Sequence, residues 1–326
     1  MIQIQTDKQV AMRDVFGQTL LELSTADERV LGLDGDLANS TKIDKLAENN
    51  AKQFLQMGIA EQNMLGVAAG LATVGFQPWV CSFAAFIVKR ALDQIAISIA
   101  QPKLDVKMIG AYSGLLTGCT GKTHQALEDI AIMRSLANMI VLAPADAVEL
   151  KKMMLFAHQY NGPVYIRVAR DPLPQLFSEE TYKFQLGKGI TLKEGTDVTI
   201  VSTGTQTSRV LAAAASLEQE GISAAVLHLP TIKPIDQDAI IAAAARTGVL
   251  VTAEEHNIYG GLGSAVAEVL VEHHPVPMLR VGVRDRNSES GSNEELLAKY
   301  EIGAADVVRV TKQAIAKKNG GGGMRV

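Results

Sequence analysis

Short β-branched runs alternate with longer amphipathic segments twice along this chain, and no other feature restricts its fold as much. A chain with this pattern buries its apolar strands as a parallel sheet with helices on both faces. In the first series the runs are Val30–Asp34, Trp79–Ser82, Asp105–Gly110, Met139–Ala143 and Val164–Val168. Helical periodicity fills the segments near 8–24, 62–73, 84–100, 125–136 and 146–160. Pro144–Ala145–Asp146 is a good helix start. The pattern lapses after Arg170 through DPLPQLFSEETYKFQLGKG, with two prolines and several charges. A second series follows at Asp197–Ser202, Ala224–Leu229, Gly248–Thr252 and Met278–Val281, with helices near 206–220, 236–246, 261–273, 293–299 and 304–317. The reading is two doubly wound α/β domains, the first with a mainly parallel sheet and the second smaller. The expected limits are 1–175, a linker at 176–190, a second domain at 191–318 and a disordered Gly-rich tail at 319–326.

Composition removes several function classes. A length of 326 residues suits two domains, and 47% hydrophobic with 20% charged residues is ordinary globular usage rather than disorder. The net charge of −4 gives no general attraction to a phosphate backbone, so nucleic acid is not an expected partner. The longest apolar candidate, Ala239–Ala253, is interrupted by Arg246, Thr247 and Gly248 and falls short of the ~18 residues of a membrane span. The opening MIQIQTDKQVAMRD carries charges where a secretory signal needs an apolar stretch. Cys81 and Cys119 form no CxxC, so neither a zinc site nor a disulfide framework is implied, and two thiols fit a reducing compartment. A soluble cytoplasmic protein is expected.

Two glycine-rich stretches invite a nucleotide-binding reading and fail on spacing. Gly114–Thr123 ends in GKT, but Leu116 stands where a phosphate-cradling loop needs glycine. Gly260–Val266 has Val266 where a dinucleotide fingerprint needs Gly or Ala. His124 ends the first of these loops, at the carboxyl end of a strand, where open α/β sheets hold ligands. Glu61 opens a helix rich in Gly and Ala, either as a first-turn acid or as something more, and those small residues suit close packing against another helix. Asp34, Asp36, Asn39 and Ser40 follow the first strand as a turn or as a polar cluster at the ligand edge. Phe83 and Phe86 share a helical face, in the core or at a pocket. Arg170, with Arg167 upstream, closes the last strand of the first series as a phosphate clamp or a surface ion pair.

Taken in order, MGIAEQNMLGVAAGLA, PWVCSFAAF, GKTHQALEDIAIMRS, NMIVLAPAD and RDPLPQL resemble the pyrimidine-binding domain of transketolases. STGTQTSRVLAAAASLEQEGI, TIKPID and EEHNIYGGLGSAVAEVL resemble the transketolase carboxyl-terminal domain, so the resemblance runs from about residue 10 to 315. The diphosphate-binding domain of full-length transketolases has no counterpart here; Asp34–Gly35–Asp36 is DGD rather than the GDG of that domain. The resemblance therefore implies the carboxyl-terminal subunit of a split transketolase. Such a subunit works with a separate amino-terminal companion that holds the diphosphate through Mg2+ or Ca2+, and thiamine diphosphate lies between the two. A metal site in this chain is not expected. Self-association to a dimer, and so to a heterotetramer, is.

Carried over by resemblance, Glu61 hydrogen-bonds the pyrimidine ring of thiamine diphosphate and assists its activation, and Phe83 and Phe86 enclose that ring. Asp36 and Leu37 border it, and His124 moves protons or binds substrate hydroxyls. Ser40 and Arg170 hold a sugar phosphate. The implied reaction transfers a two-carbon ketol unit from a ketose phosphate to an aldose phosphate. Two departures bear on the donor: Tyr112 stands where the family has His, and Thr120 where it has Asp. Both family residues contact substrate hydroxyls, so their replacement implies an altered donor such as apulose 4-phosphate. Lys122 adds a cation that could meet phosphate. The competing readings are a 1-deoxyxylulose-phosphate-synthase-like enzyme, a 2-oxoacid dehydrogenase β chain, and a non-catalytic scaffold.

Overall fold

The computed structural model describes residues 8–320. Seven strands form the larger sheet, in the order Thr231–Lys233, Ile140–Leu142, Val164–Val168, Lys107–Ala111, Gln77–Phe83, Val30–Asp34 and Phe54–Gln56. All neighbours are parallel except the Thr231–Lys233 edge. A second, five-stranded sheet runs Met278–Val283, Leu250–Asn257, Val198–Ser202, Ala224–His228 and Ile190–Lys193, antiparallel only at the last edge. The strands Val30–Asp34, Gln77–Phe83, Lys107–Ala111 and Val164–Val168 are buried along their whole length, as parallel strands covered on both faces must be. Trp79 and Tyr165 are the largest fully buried side chains. The molecule has the two-part α/β architecture that the double alternation implies.

Five short strands escape local periodicity, Pro172–Pro174 and Ile190–Lys193 among them. Gln9–Ala11 lies inside the helix expected at 8–24; it pairs antiparallel with Pro172–Pro174, so the helix begins only at Met12. Phe54–Gln56 closes one edge of the larger sheet. Thr231–Lys233, from the TIKPID segment of the second half, pairs with Ile140–Leu142 and closes the other edge. The second half thereby completes the first half's sheet. The helix expected at 84–100 divides into Ala84–Arg90 and Gln94–Ala100, the break falling just after Arg90. The last helix, Ala304–Gly320, continues through Asn319 and Gly320, where the tail was expected to begin; residues 321–326 lie outside the described residues. No described helix is long and apolar enough to cross a membrane.

Asp146 ties the segment between the halves to the first half. It caps the helix Ala147–Gln159 by accepting from Glu149 N at 2.8 Å, and its other oxygen accepts from Leu176 N and Phe177 N at 2.7 and 2.8 Å. Burial pushes its carboxyl from 3.8 up to about 6, although these N–H donors pull the other way. A carboxyl raised in the folded state favours folding below its unfolded pKa, and that contribution is lost as pH rises through the folded value. The stability difference between wild type and Asp146→Asn should therefore shift against wild type by about 2–3 kcal/mol between pH 4 and 6.5. Urea unfolding of both proteins across that range measures it; a pH-independent difference contradicts the assignment.

Candidate active site

The carboxyl ends of Val30–Asp34, Gln77–Phe83, Lys107–Ala111 and Val164–Val168 lie side by side, and the loops that leave them build one site. This is the edge at which open α/β sheets bind ligands. Gly35, Asp36, Leu37, Ile59, Glu61, Phe86, Arg90, Thr123 and His124 line a pocket of about 320 Å³ there. Asp36 adopts a left-handed φ of 66°, and Gln56 holds that turn. Its Oε1 accepts from Asp36 N and Gly58 N, both at 3.0 Å, and its Nε2 donates to Asp34 at 2.7 Å.

Glu61 begins the helix Glu61–Thr73 and is only 2% exposed, so its carboxylate has lost its water. Arg90 Nη1 donates to both of its oxygens, at 2.9 and 3.0 Å, and Ser82 Oγ stands at 3.5 Å. The same guanidinium lies over the Phe86 ring, 3.9 Å from its centroid, in a cation–π contact. Its side chain is 45% exposed, so it reaches the buried acid from solvent.

Phe83 stands behind the pocket wall rather than in it: it is buried and stacks on Tyr112 with centroids 4.1 Å apart. Phe86 forms the wall, and His124 meets both rings edge-on at 5.8 and 5.3 Å. His124 Nδ1 shares a 2.8 Å hydrogen bond with the Thr123 hydroxyl. Beyond Tyr112 the site turns cationic. Arg13 Nη1 donates to the Tyr112 hydroxyl at 2.9 Å and to the Ser40 carbonyl at 3.2 Å, and Arg170 lies 5.5 Å over the Tyr112 ring. Ser40 thus joins this cluster through its carbonyl; its hydroxyl turns to Asn39 at 3.2 Å.

The loop between Tyr112 and His124 is held from the second half. Glu255 is buried and accepts from Leu115 N and Leu116 N at 2.9 and 3.0 Å. Its other oxygen takes Thr205 Oγ1 at 2.7 Å and Arg209 at 3.3 Å. Gly114, at φ +87°, has room for Glu255 only because it lacks a Cβ, which would lie 2.3 Å from the carboxylate. Thr120 turns to Thr117 at 2.5 Å. Lys122 does not join the arginines; with Lys89, Gln125 and Arg286 it lines a different cleft between the halves.

Comparison with known proteins identifies this arrangement. The family model described as the transketolase pyrimidine binding domain matches residues 8–175, and that of the transketolase C-terminal domain matches residues 187–307. The chain belongs to the transketolase family. It is 41% identical over 308 residues to the 6-deoxy-6-sulfo-D-fructose transketolase subunit SqwH of Clostridium sp. (strain MSTE9), covering 94% of this chain and 95% of that one. It is 36% identical to an apulose-4-phosphate transketolase subunit of Phocaeicola vulgatus, covering 94% and 98% of the two chains. A solved split-gene transketolase, an inactive β4 tetramer, superposes with a TM-score of 0.87 at 44% identity over 95% of this chain and 100% of that one. This chain therefore corresponds to the carboxyl-terminal subunit of a split transketolase. Transketolases depend on thiamine diphosphate.

Three contributors to this pocket and the cluster beside it are not apparent from the sequence. Arg13 reads as an ordinary charged helix residue, Arg90 as a cation in a helix's last turn, and Gln56 lies on a strand that periodicity does not reveal. Glu255 was visible only as part of the EEH run. Glu255→Ala should lower stability by ~2–4 kcal/mol, because a buried and a half-buried N–H group and Arg209 lose their acceptor. Glu255→Gln, which keeps one oxygen acceptor, should lose less. Urea unfolding decides; a loss for Glu255→Ala within about 0.5 kcal/mol, the range of an ordinary surface substitution, contradicts the anchoring role.

Proposed function

We propose that this chain carries the pyrimidine side of a thiamine-diphosphate-dependent transketolase active site, completed by a separate amino-terminal companion. The pair transfers a two-carbon ketol unit from a ketose phosphate to an aldose phosphate. The carrying observation is the buried Glu61 carboxylate in a small pocket walled by Phe86, Leu37 and Ile59. An aminopyrimidine needs apolar contact for its faces and one carboxylate for its ring nitrogen, and this pocket supplies both. The companion holds the diphosphate with Mg2+ or Ca2+. The exposed side of the helix after Glu61, with Gly66 and Gly70 open above their Cα atoms, suits close subunit packing in a heterotetramer. The proposed setting is the cytoplasm.

When bound, thiamine diphosphate supplies the nucleophilic carbon and the electron sink for the ketol unit. Glu61 holds a proton at the pyrimidine ring nitrogen, in a position that its helix start and Ser82 fix. Phe86 packs against the ring, and Leu37 and Ile59 exclude water from it. A ring on the Phe86 face takes the place of the Arg90 guanidinium, whose exposed side chain is free to swing outward. His124, beside the same pocket, moves a proton at a substrate hydroxyl. Arg170 and Arg13 hold the tail phosphate, the Ser40 carbonyl positions Arg13, and the Ser40 hydroxyl turns from Asn39 to donate to the same group.

Tyr112 and Thr120 favour a donor other than the common pentulose phosphate, and the sulfofructose and apulose phosphate activities named for its relatives support that reading. The donor proposed is a branched or modified ketose such as apulose 4-phosphate. Calorimetric titration of thiamine diphosphate with magnesium should show binding by the pair and not by this chain alone. Glu61→Ala should lower ketol transfer by ~10²–10⁴-fold with the fold intact. Undiminished activity in that variant points to a scaffold, and pyruvate-driven release of carbon dioxide to the synthase-like reading. Kinetics with xylulose 5-phosphate as the best donor by a wide margin overturn the donor proposal.

A further inference from the structure

We infer that Tyr112 is the specificity-determining strut of the substrate's tail site, fixing the spacing of Arg13 and Arg170 around a tetrahedral oxyanion, phosphate or sulfonate. The inference rests on the transketolase reading and assigns a role to the residue at which this chain departs from its family.

Four observations place Tyr112 there. It adopts φ +56°, a conformation that non-glycine residues avoid, and such residues persist only where their surroundings over-determine them. Those surroundings are visible: the ring is 5% exposed and stacks on Phe83 at 4.1 Å with 20° between planes. The hydroxyl takes the Arg13 hydrogen bond at 2.9 Å, and a second guanidinium, Arg170, lies over the ring at 5.5 Å. Both arginines also keep a buried Nε with no hydrogen-bond partner among the described residues.

Charge gives the ligand class. Two guanidinium groups converge on one phenol. Among the described residues, the only carboxylate paired with either is Asp171, 3.5 Å from Arg170 and itself held by Asn293 at 2.7 Å. The cluster therefore carries excess positive charge and unfilled donors, which a compact group with three equivalent oxygens satisfies through two N–H forks. A phenol, unlike an imidazole, cannot become a cation, so Tyr112 adds geometry without adding a third positive charge. A doubly charged phosphate and a singly charged sulfonate are then both acceptable, whereas an imidazole at this position becomes cationic on protonation and favours the more highly charged tail.

The stack also relates this end to the chemistry. Phe83 packs on Tyr112 at one face and lies 5.6 Å from Phe86, the wall of the pyrimidine pocket. The column Phe86–Phe83–Tyr112 thus sets the distance from the cofactor pocket to the tail site, and with it the length of donor that reaches both.

The test uses the complex of this chain with its companion and three donors that differ only in the tail: 6-deoxy-6-sulfofructose, fructose 6-phosphate and fructose. Tyr112→Phe keeps the ring and removes the hydroxyl. It should raise KM about tenfold for both anionic donors, leave KM for fructose within about twofold, and act on KM rather than kcat. Tyr112→His should move the phosphate-to-sulfonate preference toward phosphate, increasingly as pH falls through the imidazole range. An equal effect of Tyr112→Phe on all three donors, or none, overturns the assignment. Calorimetric binding of inorganic phosphate and of methanesulfonate to the complex separates this inference from the wider reading. If no donor is turned over, the transketolase proposal fails, while anion binding weakened by Tyr112→Phe and lost in Arg13→Ala still supports the strut. Anion binding indifferent to both variants overturns it.

Discussion

The guanidinium of Arg167 is the contact on which the rest of the arrangement depends. It is 7% exposed and bonds both oxygens of Asp129, at 2.7 and 3.1 Å, while Nη2 also reaches the Glu255 carbonyl at 3.2 Å. Tyr165 adds its hydroxyl to the same carboxylate at 2.8 Å. Burial alone would raise the Asp129 carboxyl, but Arg167, His256 and the Tyr165 hydroxyl together outweigh it and hold the group below the usual carboxylate range. A buried pair of this kind adds little net stability when formed, yet costs ~3–5 kcal/mol if one partner is removed. It therefore acts as a specification of geometry. One cation locks the strand that leads to Arg170, the helix that follows the His124 loop, and the second-half strand that carries Glu255.

From that anchor the site separates its charges. At one end a single buried acid, Glu61, faces an apolar pocket; at the other, Arg13 and Arg170 converge on Tyr112. Three aromatic rings lie between them. A low-dielectric spacer of this kind lets an acid and a pair of cations work within one cleft without neutralising each other. The pairing of Arg90 with Glu61 is the exception, and its consequence is physical. A buried carboxylate without a counter-ion is costly, so this chain by itself satisfies the acid with a side chain drawn in from solvent.

Much of the fold was legible because parallel strands buried on both faces write themselves as continuous apolar runs. Val30–Asp34 and Val164–Val168 were readable to the residue for that reason. Gln9–Ala11 and Thr231–Lys233 were not, because each is a strand only by virtue of a partner far away in the chain. The site divides in the same way. Glu61, Phe86, His124, Asp36 and Leu37 came from recognisable motifs and converge on one pocket, while Ser40, Tyr112 and Arg170 gather beside it. Phe83, expected against the cofactor, stacks on Tyr112 behind the pocket wall, and Lys122 lines another cleft. Arg13 and Arg90 carried no signal, since a charged residue on a helix is ordinary until its neighbours are known.

By itself, the sequence determined the two α/β halves, the family and the residue types available for chemistry. Periodicity and motif spacing are local properties, and burial on two faces imposes them directly. Only the tertiary structure decided which charges meet: Arg90 with Glu61, Arg13 with Tyr112, Glu255 with the His124 loop. Those pairings join residues up to 140 positions apart, and electrostatic energy depends on distance in space and on burial, neither of which the order of residues records.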